Sequence, residues 1–243
     1  GNTDHSRPDE KLRPLVYPVV CLQSIKESEM ATTQVELKPF FIALITVYCV
    51  EVTIGILAVK TPMGSLSLLG AARTVEAVLI LLVFNRQLNG MTVIGLSSES
   101  LLDGLLLGLI WSVGFGIVVS AGFVILFYIG IDPFTLVSTH LPAENSNLIG
   151  FILVGGVISP VAEEVFFRGV LFGYFRRWGF GPALIVSTAG FIAAHLYGNQ
   201  MPITQAVGGV IFGVAYEKTG SLVAPITIHM LGNLAIFALA IIS

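Results

Sequence analysis

The sequence predicts an all-α fold, a polytopic transmembrane bundle of about seven to eight helices with a polar site embedded in the membrane. Three observations predict it. Of 243 residues, 55% are hydrophobic and only 11% are charged, against ~25% charged in soluble domains, and the mean hydropathy is +0.90. The apolar residues gather in stretches near the ~20 residues that a bilayer-spanning helix needs. Ionisable residues interrupt some of those stretches, at a cost of ~2.5–3.5 kcal/mol each on insertion scales, and such residues mark functional sites.

In chain order, residues 1–38 are polar and charge-mixed, begin without a cleavable-signal pattern, and are expected to form a cytoplasmic tail. Residues 39–99 hold two spans, about 40–59 and 67–85. Residues 100–243 form a membrane core with spans at about 104–129, 147–177, 182–196, 203–216 and 222–242. The 147–177 stretch is long and expected to break at Ser159-Pro160, which would raise the count to eight. Two stretches, 182–196 and 203–216, are short, which a bundle tolerates where they face protein or a water-filled cavity.

Charge sets the expected orientation. With the N-terminus cytoplasmic, the inside holds Arg7, Lys11, Arg13, Lys26, Lys38, Arg86, Arg176, Arg177 and Lys218. The outside then holds Lys60, and the loop 130–146 carries Asp132 and Glu144 but no Lys or Arg. The positive-inside rule therefore predicts N-in and C-out. No Lys/Arg run points to nucleic acid, which is excluded as a partner. Cys21 and Cys49 read as unpaired thiols, with no CxxC or Cys/His metal spacing. Small-residue spacing such as Gly209-xxx-Gly213 suits close helix packing. No internal repeat is visible, which counts against the inverted-repeat architecture of many transporters.

Two charged sets fall inside spans. Arg73 and Glu76 lie three residues apart, on one helix face, and suit an ion pair. Glu51 stands alone, to pair with Arg73 or to line a cavity. The second set is Val161-Ala162-Glu163-Glu164-Val165-Phe166-Phe167-Arg168. Ser is a good N-cap and Pro suits the first helical position, so a helix is expected to restart at Ser159-Pro160. That would place both glutamates near a first turn, where the helix dipole favours carboxylates. Adjacent residues point ~100° apart on a helix. Glu164 can then pair with Arg168 at i,i+4 while Glu163 faces other helices.

Later spans supply partners. Phe191 and His195 are one turn apart, as are His229 and Asn233. A carboxylate and an imidazole can activate water, and imidazole and amide N–H groups can hold an oxyanion. These are the parts needed to hydrolyse an amide. Three other readings stay open: a Zn²⁺ site made of Glu163, His195 and His229, cross-helix hydrogen bonding alone, and a transporter's proton relay. His5 and His140 lie in the tail and a loop and suit surface roles.

Glu163-Glu164-xxx-Arg168, Phe191-xxx-His195 and His229-xxx-Asn233 resemble the three motifs of the CPBP, or ABI, family of CAAX-type intramembrane proteases. The resemblance covers about residues 100–240. It implies a helical bundle with a conical cavity open to cytosol and membrane, and a glutamate-dependent mechanism without a cofactor or catalytic metal. On this chain it implies that Glu163 and His195 activate water, that His229 and Asn233 stabilise the oxyanion, and that Glu164, Arg168 and Phe191 support them. The implied activity is endopeptidase cleavage of a membrane protein or of a lipidated or C-terminally anchored peptide, in a bacterial inner membrane. A non-catalytic immunity or scaffold protein of the same fold is the alternative.

Overall fold

The computed structural model describes residues 34–61, 64–137, 139, 141–142, 145–196 and 202–242. The expectations for His5, Cys21, His140 and nearly all of the tail lie outside them. All regular structure among the described residues is helical. The elements are α1 (Leu37–Lys60), α2 (Ser65–Asn85), the single turn α3 (Gly90–Val93) and α4 (Leu101–Tyr128). They continue with α5 (145–178), α6 (Phe180–Ala194), α7 (Ile203–Thr219) and α8 (Val223–Ile242). Five stretches, containing α1, α2, α4, α5 and α8, are long and apolar enough to cross a membrane. The chain is a multi-pass membrane protein.

The helix expected to begin at Ser159 does not begin there. α5 runs on through Ser159-Pro160, and its winding widens to π-helix over Val154–Ile158 and again over Val165–Phe172. Ser159 is helical rather than a cap, and its N–H reaches back five residues to the Val154 carbonyl. Proline has no N–H to give. In this five-residue register the carbonyl that Pro160 leaves unmet is that of Gly155. Asn233 of α8 fills the gap, donating from Nδ2 to Gly155 O at 2.8 Å. A π-bulge met by a cross-helix donor thus absorbs the proline that was expected to mark a boundary. Glu163 and Glu164 consequently sit mid-helix, beyond the first-turn reach of a helix dipole.

The centre of α5 is the core of the bundle. Val165, Val170 and Phe172 are buried, as are the charged Glu164 and Arg168. α6 and α7 approach closely because α7 is bare where they touch. A Cβ at Gly209 would stand 2.8 Å from Thr188, and one at Gly213 would stand 2.5 Å from Leu184. α4 differs from these. It leans on α8 through Gly104 and Gly108 and otherwise carries exposed apolar side chains, such as Leu102, Ile110, Val118 and Phe127. In lipid such a surface needs no further partner.

On the other flank, Arg73 of α2 bridges two carboxylates. It is 2.6 Å from Glu76 on its own helix and 3.0 Å from Glu51 on α1. Both pairings read from the sequence form, and together they tie α1 to α2. Cys49 is a free, exposed thiol.

Candidate active site

Glu163 and Glu164 leave α5 in different directions, as 3.6-residue winding requires. Glu164 points into the core. Its Oε1 accepts from Arg168 NH1 at 2.8 Å and from His229 Nδ1 at 2.8 Å. Glu164 and Arg168 are both 0% exposed. The Arg168 guanidinium also donates to Gly209 O at 3.2 Å. Two near-perpendicular aromatic rings flank it, with Cζ 4.8 Å from the Phe191 centroid and 5.1 Å from that of Phe212. Arg168 Nε and Glu164 Oε2 find no hydrogen-bond partner, so the pair is held by Oε1, NH1, NH2 and the flanking rings alone.

Glu163 turns toward two imidazoles. Its Oε2 is 3.8 Å from His195 Nε2 and 3.8 Å from His229 Nε2. That separation is too long for a direct hydrogen bond and leaves room for one water touching the carboxylate and an imidazole. Glu163 is 12% exposed and His195 25%, so neither is sealed in the core.

The far side of each ring fixes its tautomer. His195 Nδ1 lies 2.8 Å from Phe191 O. A carbonyl only accepts, so Nδ1 carries the hydrogen and Nε2 presents a lone pair toward Glu163. His229 Nδ1 faces a Glu164 oxygen that already accepts from Arg168, so this nitrogen too is a donor. His229 Nε2, on the opposite edge of the ring, faces Glu163 at 3.8 Å and donates only when the ring carries both hydrogens. Phe212 stacks on the His229 ring at 4.6 Å and 21°, and Phe191 meets it edge-on at 5.7 Å.

The structure thus brings Glu163, His195 and His229 together, with Glu164, Arg168 and Phe191 packed behind them. Asn233 stands one turn beyond His229, with one amide hydrogen committed to Gly155. The second hydrogen is free to donate elsewhere. Sequence reasoning missed Phe212, the Gly155 and Gly209 carbonyls, and the Glu164–His229 bond. Only the Gly209-xxx-Gly213 spacing hinted that α7 comes this close. Among the described residues, no group of three or more His, Cys, Asp or Glu is disposed to hold a metal ion.

A family model described as type II CAAX prenyl endopeptidase, Rce1-like, matches residues 145–235, from the start of α5 into α8. All the residues above fall within that match. This part of the chain resembles the CPBP family of CAAX protease-like membrane proteins. Among curated proteins it is 39% identical over 90 residues to the membrane-embedded CAAX protease MroQ of Staphylococcus aureus, covering 34% of this chain and 36% of that protein. It is 28% identical over 161 residues to an uncharacterized 24.3 kDa protein of Escherichia coli, covering 62% of this chain and 70% of that protein. The chain therefore spans about a third of the length of MroQ. No solved structure matches it.

Proposed function

We propose that this protein is an intramembrane glutamic endopeptidase that hydrolyses a peptide bond of a membrane-associated or C-terminally anchored protein. The observation that carries the reading is the convergence of two imidazole Nε2 atoms on Glu163 Oε2, each with its Nδ1 hydrogen anchored on the far side. A water seated between Glu163 and His195 loses a proton to the carboxylate as its oxygen attacks the scissile carbonyl. His229, as an imidazolium backed by Glu164, donates from Nε2 to the developing oxyanion, and the free Asn233 amide hydrogen adds a second donor. The proton held on Glu163 then passes to the departing amine, so both products leave neutral at the cut bond. Glu164 and Arg168 act through His229 and orient it. The similarity to the membrane-embedded MroQ of a bacterium supports a place in a bacterial cytoplasmic (inner) membrane, with the basic residues on the cytoplasmic side.

The test is mass spectrometry of membrane-anchored or C-terminally lipidated peptides incubated with the purified protein beside Glu163→Gln. A new terminus made by the wild type alone is expected. Equal cleavage by both proteins removes Glu163 as the base. The absence of any product across a broad peptide set, with both proteins folded, favours the non-catalytic alternative.

A further inference from the structure

The charges shared by α1 and α2 take no part in the chemistry above, and they do not balance. Arg73 NH1 lies 2.6 Å from Glu76 Oε2 and 3.0 Å from Glu51 Oε1, so a single guanidinium nitrogen serves two carboxylates. Neither glutamate pairs with any other Lys, Arg or His among the described residues. One negative charge is therefore left without a partner inside two membrane-spanning helices, where an uncompensated charge is costly. A cation from outside the chain, or a proton held between the two carboxylates, would balance it.

Helix winding turns this group toward the bundle. On α1, Phe40, Leu44 and Val47 pack into the core, and Glu51 continues the same stripe one turn beyond Val47. On α2, Arg73 lies on the stripe of Gly70, Ala77, Ile80 and Phe84, all of them buried. That stripe meets α5, where a Cβ on Gly70 would stand 2.9 Å from Val154. α2 also packs along Ser159–Glu164, the turns that carry Glu163, and Arg73 is within electrostatic reach of the Glu163 carboxylate. The cluster therefore neighbours the proposed base and does not look out to lipid.

Its three members are accessible to different degrees. The Glu76 side chain is 5% exposed and closes the back of the group, Arg73 is 21% exposed, and Glu51 is 47% exposed. Glu51 is thus open although it lies on the stripe that α1 turns to the bundle. Its Oε1 faces Arg73, and its Oε2 accepts no hydrogen bond from a described residue. An accessible carboxylate amid surplus negative charge, its neighbour fixed from behind by a buried glutamate, suits an ammonium or a guanidinium and disfavours an acidic group.

We infer that Glu51 is a specificity-determining residue, which binds the side chain of a lysine or arginine of the substrate near the bond cut at Glu163. This rests on the protease reading for the substrate class and narrows it. Membrane anchors carry Lys and Arg close to their cytoplasmic ends. The stems of those side chains run along apolar surface while the charge seeks a polar partner. The substrate is then an anchored peptide with a basic residue beside its apolar segment, and that residue supplies the cation that the cluster lacks. Arg73 and Glu76 act through Glu51, as positioning residues.

The test is binding of synthetic membrane-anchored peptides to the full chain in lipid nanodiscs, with Glu163→Gln as background so that bound peptide stays whole. The peptides differ at one residue, lysine, norleucine or glutamate, stepped along the segment beside the anchor, and fluorescence anisotropy gives Kd. At one position or more, the lysine peptide is expected to bind at least ~10-fold more tightly than the norleucine peptide, as for a hydrogen bond to a charged group. The glutamate peptide is expected to bind most weakly. Glu51→Gln is expected to erase the lysine preference, and Glu51→Asp, which keeps the charge, to retain part of it. Equal binding of the lysine and norleucine peptides at every position, absence of binding included, overturns the inference and leaves the proton. A lysine preference that survives Glu51→Gln also overturns it. The protease reading is judged separately, on protein that retains Glu163 with the same peptides. Glu163-dependent cleavage without a lysine preference keeps the protease and rejects the site at Glu51. A Glu51-dependent lysine preference with no cut product keeps the site and rejects the protease.

Discussion

Two arginines lie within the spans, and they are held in opposite ways. Arg168 is fully buried, bonded to Glu164 and the Gly209 carbonyl and flanked by the rings of Phe191 and Phe212. Arg73 bridges Glu76 and a half-exposed Glu51, and no aromatic ring is found over its guanidinium among the described residues. The first has a single geometry set by three helices. The second joins two helices and leaves one of its carboxylates half exposed. An intramembrane ion pair is therefore not one kind of object. Where packing surrounds it, it acts as a scaffold whose loss is felt throughout the fold. Where water enters, it contributes little to stability and is free to answer to what approaches.

The comparison can be broken at its strong end first. Arg168→Met leaves the buried Glu164 carboxylate with His229 as its one remaining partner among the described residues, and a loss of about 3 kcal/mol is expected. Thermal unfolding in detergent checks it, and an unchanged midpoint would make the two arginines equivalent after all. Arg168→Lys is expected to rescue little, since an ammonium reproduces neither the fork nor the stacking. Next in size is Glu163→Gln. Cleavage should fall at least ~100-fold, the lower range for removal of a general base, with the melting midpoint unmoved because Glu163 makes no direct hydrogen bond. Asn233→Ala leaves the Gly155 carbonyl without its donor, and a loss of about 1–3 kcal/mol is expected. Hydrogen exchange at α5 amides around Pro160 should report it, and unaltered protection would reassign the bond. Smallest is Glu51→Gln, expected to cost less than about 1 kcal/mol, as for exposed pairs. A loss comparable with that of Arg168→Met would erase the contrast. Chelation sharpens the chemistry rather than the stability. Activity is expected to survive EDTA, and a loss restored by Zn²⁺ would return the metal reading.

The fold was legible in the sequence because lipid enforces it. Every apolar stretch of sufficient length had to become a helix, since backbone groups find no other partners in hydrocarbon. The short stretches at 182–196 and 203–216 emerged as α6 and α7 nearly within their expected limits. Neighbours on one helix were equally readable, as with Arg73 and Glu76 or Glu164 and Arg168, because 3.6-residue winding alone brings them together. What a single chain could not show was which helix meets which. Glu164 to His229 spans 65 residues, and Asn233 to Gly155 spans 78. Ser159-Pro160 misled for the same reason. Local preference reads the pair as a helix start, but a donor from α8 makes continuation possible, and that donor is invisible from the dipeptide.

The bond from Asn233 to Gly155 also has a consequence in time. During synthesis α5 reaches the membrane well before α8, carrying a proline-interrupted turn whose carbonyl awaits an amide from a helix not yet made. His229 arrives on that same late helix. A nascent chain thus holds Glu163 in place but has neither a fixed winding around it nor the His229 ring behind it. On the proposed mechanism, competence to cut is therefore withheld until translation delivers α8.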